Sequence, residues 1–210
     1  MQAAGVPTPA WFAFNQTAFR ELGAGDALGG LEQRLGFPRV VNPSRGGSAL
    51  GVKFAAEATE VPAALVAAFS YDDRVLLERF VDGRELAVSV VGDEALPVVE
   101  AIPEGGDRYD FEARYEIGRT RFECPADLAE GEGTAVVEAA LGAYRALGCS
   151  GFSRVDLILD EEGPQVLEVN AIPGLTDTSL LPQAAEAAGL SFEDLVARIL
   201  ELALEPVGSR

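Results

Sequence analysis

Residues 152–170, FSRVDLILDEEGPQVLEVN, form two mainly apolar runs with polar residues set among them, joined by an acidic, Gly-containing turn. That pattern admits little other than a β-hairpin with one face in a core. A three-residue turn, Glu161-Glu162-Gly163 with glycine in the left-handed position, sets Asp156 opposite Glu168 and Arg154 opposite Asn170. Because strand side chains alternate, all four then project from one face. Opposed carboxylates repel, so the hairpin gains nothing from them unless positive charge lies between. Two readings follow. In one, magnesium takes oxygen donors from this face, with Arg154 beside it to hold a phosphate or a developing oxyanion. In the other, the face is solvated and Arg154 only neutralises Asp156.

Composition decides which chemistry is open. The 210 residues include no His, so a Ser-His-Asp or Cys-His nucleophile and a His-based zinc site are both ruled out. Cys124 and Cys149 are far apart and read as free thiols. The formal charge of −18, with Lys53 the single lysine, opposes binding to a nucleic-acid backbone. It leaves room for a nucleotide whose charge a divalent ion offsets. Neither an apolar run long enough to span a membrane nor a secretory signal is evident, so the expected location is cytoplasmic, with no membrane partner.

The remaining segments read as mixed strands and helices. The N-terminal MQAAGVPTPAWFAFN is extended, GAGDALGG (23–30) is loop, and LEQRLG is a short helix stopped by Gly36. PRVVNPS and VKFA are strands around the loop SRGGSALG, and VPAALVAAF (61–69) is a helix with Pro just inside its start. Strands are expected at 74–81, 85–92 and 96–102, then a long irregular section at 103–128. A helix at 134–148, the hairpin, and helices near 179–188 and 191–204 complete an α+β chain. Taken singly, the Gly-bearing loop is either a phosphate cradle or a flexible surface loop. Glu78 and Glu85, around Asp82-Gly83, read in isolation as solvent-facing acids.

In order, VVNPSRGGSALGV, VLLERFVDGRELAV, YDFEARY, GFSRVDLILDEEGPQVLEVNAIPGLTDTSLLP and FEDLVARILELA resemble the D-alanine–D-alanine ligases of the ATP-grasp superfamily. The resemblance spans essentially the whole chain. It implies two α+β subdomains, 1–82 and 83–210, clamping ATP between mixed or antiparallel sheets. It also implies ligation of two D-alanines through an acyl phosphate for peptidoglycan synthesis, and a homodimer. By resemblance, Asp156, Glu168 and Asn170 hold two magnesium ions, for which manganese can substitute. Arg154 and the backbone at Gly174 stabilise the tetrahedral intermediate. Ser179 and Leu180 receive the carboxylate of the second D-alanine. For the nucleotide, Glu78 lies near the adenine amino group, Val81 gives a backbone contact and Glu85 binds ribose. Gly47, Ser48 and Ala49 cover phosphate, and Tyr115 of the lid closes on Ser48.

Departures from the family pattern are specific. Asn42 stands where a phosphate-binding Lys is usual, Arg114 replaces the lid lysine, and Ala49 replaces a second loop serine. Each lost phosphate contact costs about 1–3 kcal/mol. The resemblance also begins beyond the family's N-terminal domain, which carries a glutamate for the first D-alanine. A catalytically impaired MgATP-binding module, or another ATP-grasp carboxylate–amine ligase, are the rival readings.

Overall fold

The computed structural model describes residues 1–22, 32–46, 49–103 and 120–204. Gly47, Ser48, Arg114 and Tyr115 fall outside them, and with these the expected contact of the lid with its loop. The chain divides into two compact units: one is Pro9–Val81, and the other joins Met1–Thr8 to the described residues from Asp82 onward.

In the Pro9–Val81 unit, strands β1 (Trp11–Asn15), β2 (Arg39–Pro43), β3 (Lys53–Ala55) and β4 (Arg74–Arg79) form an antiparallel sheet ordered β1-β4-β2-β3. Helices α1 (Gln16–Leu22), α2 (Glu32–Leu35) and α3 (Val61–Ala68) accompany it. Alternation in RVVNP and RVLLER sends Val41, Val75 and Leu77 into a core with Val61, Leu65 and Ala68 of α3. Pro62 in the first turn of α3 costs no hydrogen bond there, since those N–H groups have no intrahelical partner. Helix α1 was not expected: QTAFREL is too short to show a period, and Phe19 anchors it on Phe69 at 5.6 Å between ring centroids.

The second unit is built on β5 (Arg84–Val91), with β6 (Glu94–Ala95), β7 (Val99–Pro103), β8 (Thr120–Glu123), β9 (Phe152–Asp160) and β10 (Gly163–Asn170). Its sheet runs β10-β9-β5-β7-β8, all neighbours antiparallel, with β6 paired to β5. Strand β5 is buried from Leu86 through Val91, as a central strand covered on both faces should be. On one face Leu86, Val88, Val155 and Leu157 meet Val136, Ala140 and Ala143 of α4 (Glu130–Ala146). On the other, Ala87, Val91 and Val99 meet α5 (Leu180–Ala187) and α6 (Phe192–Leu204).

Several expectations are corrected. Thr120–Glu123, read as irregular, pairs with β7 as an edge strand, Thr and Phe alternating with charged residues. Helix α4 starts at Glu130 rather than 134, because Glu132 accepts a bond from the Ala129 N–H at 3.0 Å and acids favour a helix N-terminus. The N-terminal segment is not simply extended: Gln2–Ala4 make a 3-10 turn. Val6 joins the hairpin unit's core, and Pro7 O accepts the Val166 N–H at 2.8 Å.

Candidate functional site

The hairpin reaches the expected pairing by a different route. Gly163 pairs with Asp160, so the turn has two residues, Glu161 and Glu162, and Val166 pairs with Leu157. A bulge between Val166 and Glu168 then shifts the register, restoring Glu168 opposite Asp156 and Asn170 opposite Arg154. The bulge is what places Glu168. With a two-residue turn and no bulge, Leu167 would face Asp156 and Glu168 would point to the helix-covered core face. The bulge leaves Leu167 40% exposed while Val166 stays buried.

On this face Arg154 grips Asp156 with both arms of its guanidinium, Nε to Oδ1 at 2.6 Å and Nη2 to Oδ2 at 2.8 Å. Asn170 Nδ2 adds a bond to the same Oδ2 at 3.1 Å. The Arg154 and Asp156 side chains are only 13% and 14% exposed, so the pair is largely shielded from water. Glu168 sits at the exposed side of this group. Two carboxylates and an amide on one face are hard oxygen donors. Among the described residues no cluster of three Asp, Glu, His or Cys occurs. The two carboxylates fall short of such a cluster, and magnesium held here would take its remaining ligands from phosphate oxygens and water.

Beyond β10 the chain turns through buried Pro173 to Gly174. A Cβ at Gly174 would stand 2.6 Å from Ser179 Oγ, so a side chain there would require the Ser179 hydroxyl to shift. Thr176 fixes Ser179: its N–H donates to Ser179 Oγ at 3.1 Å, its hydroxyl lies 2.8 Å from the same atom, and its carbonyl accepts the Ser179 N–H at 2.8 Å. The sequence reading missed Thr176, because its role depends on the path of the loop. Leu180 opens α5 with its side chain buried in the core, leaving its backbone N–H as the group open to a ligand.

The expected nucleotide residues divide between the units. In the Pro9–Val81 unit, Asn42 pairs with Leu76 and Glu78 with Val40, both on the sheet face away from the α3 core. Trp11, 47% exposed, lies directly opposite Glu78 and extends the same row. Val81 is 4% exposed, which leaves its backbone for contact. Ala49 holds φ 57, a left-handed conformation uncommon for a residue with a Cβ, beside Gly51 at φ 82. Glu85 lies in the hairpin unit on β5, between Ala101 and Ile158.

Glu100 binds Arg84 through two bonds, at 2.8 and 2.5 Å, and that hydrogen-bonded carboxylate raises the guanidinium pKa. Burial pushes the Cys124 thiol up, away from a nucleophilic thiolate.

The D-ala D-ala ligase C-terminus family matches residues 1–201. The chain belongs to that family. It is 42% identical to the D-alanine–D-alanine ligase of Synechococcus sp. (strain JA-3-3Ab) over 219 residues, covering 100% of this chain and 66% of that protein. With the Nitrosospira multiformis ligase it shares 43% identity, over 96% of this chain and 63% of the relative. The Bacillus anthracis D-alanine–D-alanine ligase structure complexed with ATP superposes with TM-score 0.80 at 30% identity, covering 97% of this chain and 62% of that one. The VanG D-Ala:D-Ser ligase of Enterococcus faecalis gives TM-score 0.81 at 30% identity, over 97% of this chain and 59% of that one. The fold is thus the α+β ATP-grasp fold. The chain spans just under two thirds of these D-alanine–D-alanine ligase relatives.

Proposed function

We propose that this chain is the ATP- and D-alanine-handling part of a D-alanine–D-alanine ligase, cytoplasmic and serving peptidoglycan precursor synthesis. The observation that carries the reading is the single polar face on which Arg154, Asp156, Glu168 and Asn170 meet. Family membership over nearly the whole chain supports it. Division into subdomains at 82/83 and a homodimer belong to the same proposal.

In this reading ATP phosphorylates the carboxylate of one D-alanine, and the amine of a second attacks the acyl phosphate. Asp156, Glu168 and Asn170 would hold magnesium, which when bound offsets charge on the β- and γ-phosphates. Arg154 and the Gly174 backbone face the oxyanion of the tetrahedral intermediate. Ser179 and the Leu180 N–H, at the start of α5, take the carboxylate of the second amino acid, where helix polarity favours an anion. Glu78, Val81 and Glu85 bind adenine and ribose. Asn42 and Ala49 approach the phosphates; the phosphate-covering roles expected of Gly47 and Ser48, and those of Arg114 and Tyr115, belong to the same proposal but fall on residues outside the described ones.

The test is ADP release with D-alanine, D-serine and L-alanine in turn, with products identified by mass. ADP formation and a D-alanyl-D-alanine mass, dependent on D-alanine, are expected. ADP release that ignores the amino acid supplied would overturn the proposal. Asn42 favours a second reading, a MgATP-binding module with little turnover, which predicts nucleotide binding and no dipeptide.

A further inference from the structure

The Asp156 carboxylate already accepts three hydrogen bonds. Oδ1 accepts from Arg154 Nε, while Oδ2 accepts from Arg154 Nη2 and from Asn170 Nδ2. Asn170 presents its amide N–H, not its oxygen, to that carboxylate. A divalent ion seeking Asp156 therefore competes with a planar, two-armed guanidinium in a place where both side chains are about seven-eighths shielded, at 13% and 14% exposure. Shielding strengthens the pair that must be broken.

We propose that Arg154 is a latch that makes metal entry depend on nucleotide, an inference that rests on the hairpin being the metal site. With both guanidinium arms on Asp156, the latch is shut. Phosphate oxygens give the guanidinium another two-pronged partner, since Arg recognises phosphate and carboxylate by the same fork. Arg154 then turns from Asp156 to the nucleotide, Asn170 is released to rotate its amide, and the oxygen donors become available. Metal and nucleotide consequently bind synergistically, and the coupling is the same viewed from either ligand. The same side chain thus guards the carboxylate at rest and holds phosphate when the site fills.

The experiment measures Mn2+ binding to the whole chain by water-proton relaxation enhancement, which separates protein-held ion from ion chelated by free ADP. Wild type should bind Mn2+ at least about tenfold more tightly with ADP than alone, within the usual range of coupling between sites. Arg154→Met should bind Mn2+ alone about tenfold more tightly than wild type and gain correspondingly less from ADP, the remaining gain coming from phosphate oxygens on the ion. Arg154→Lys keeps the charge and gives up the fork, so it should move toward the Met variant. The latch is overturned if wild type takes Mn2+ alone as tightly as Arg154→Met. It is equally overturned if Arg154→Lys stays at the wild-type value, since charge alone would then explain the change. Asp156→Asn tests the underlying reading separately. Undiminished Mn2+ binding with ADP in that variant would remove the hairpin as the metal site, and the latch with it.

Discussion

Gly174 and Ser179 are five positions apart, yet a methyl group on the first would stand 2.6 Å from the hydroxyl of the second. Gly174→Ala should displace the Ser179 hydroxyl from the position in which it is proposed to hold a carboxylate. A misplacement of that order costs about 100-fold in rate, so D-alanine kinetics should show kcat/KM falling by about that factor. A loss below threefold would mean that this contact does not govern substrate placement. Asn42 is a residue-scale case of the opposite sign. It lies on the open sheet face with Glu78, where a lysine would add charge toward a phosphate. Asn42→Lys should tighten ATP by roughly tenfold or more, taking 1.5–3 kcal/mol for a charged hydrogen bond. Equilibrium titration checks it, and an unchanged Kd would remove Asn42 from the nucleotide site.

Strands and their junctions carry the next set of consequences. Gly83 sits where β5 begins beside the end of β9, and a Cβ there would lie 2.3 Å from the Leu159 carbonyl oxygen. Backbone cannot yield as a side chain does. Gly83→Ala should destabilise the fold by about 2–3 kcal/mol, read from the urea midpoint. On β1, Trp11 is the only tryptophan of the chain and stands opposite Glu78. Nucleotide reaching Glu78 should therefore change its emission saturably, while Mg2+ alone should not. No change at saturating nucleotide would exclude this face from the base site. The hairpin shows what a sequence pattern conveys and what it hides. Alternation in FSRVDLILD and the spacing of Glu168 and Asn170 were enough to predict which side chains face each other. They did not reveal that a shorter turn and a compensating bulge produce that pairing. The only trace of the bulge is the successive apolar pair Val166-Leu167, which breaks strict alternation. Thr176 left no trace at all, since a hydroxyl in a loop gains meaning only from where the loop goes.

At the scale of the whole chain, a protein of formal charge −18 is proposed to bind a polyanion. General electrostatics opposes that, and its resolution must be local: arginine, backbone N–H groups and a divalent ion gathered where phosphate arrives. The chain has no His, so the proposed site must work with carboxylates, amides, hydroxyls, arginine and backbone groups. The proposed metal site and the proposed latch both depend on Asp156, which the hairpin register sets opposite Glu168. The most direct test is calorimetric titration of ATP into the wild-type chain and Asp156→Asn, each with Mg2+ and with EDTA. Wild type should bind ATP with Mg2+ at least about tenfold more tightly than with EDTA, and Asp156→Asn should show no such difference. Equal affinity of both proteins under both conditions would contradict the hairpin as the seat of metal-dependent nucleotide binding.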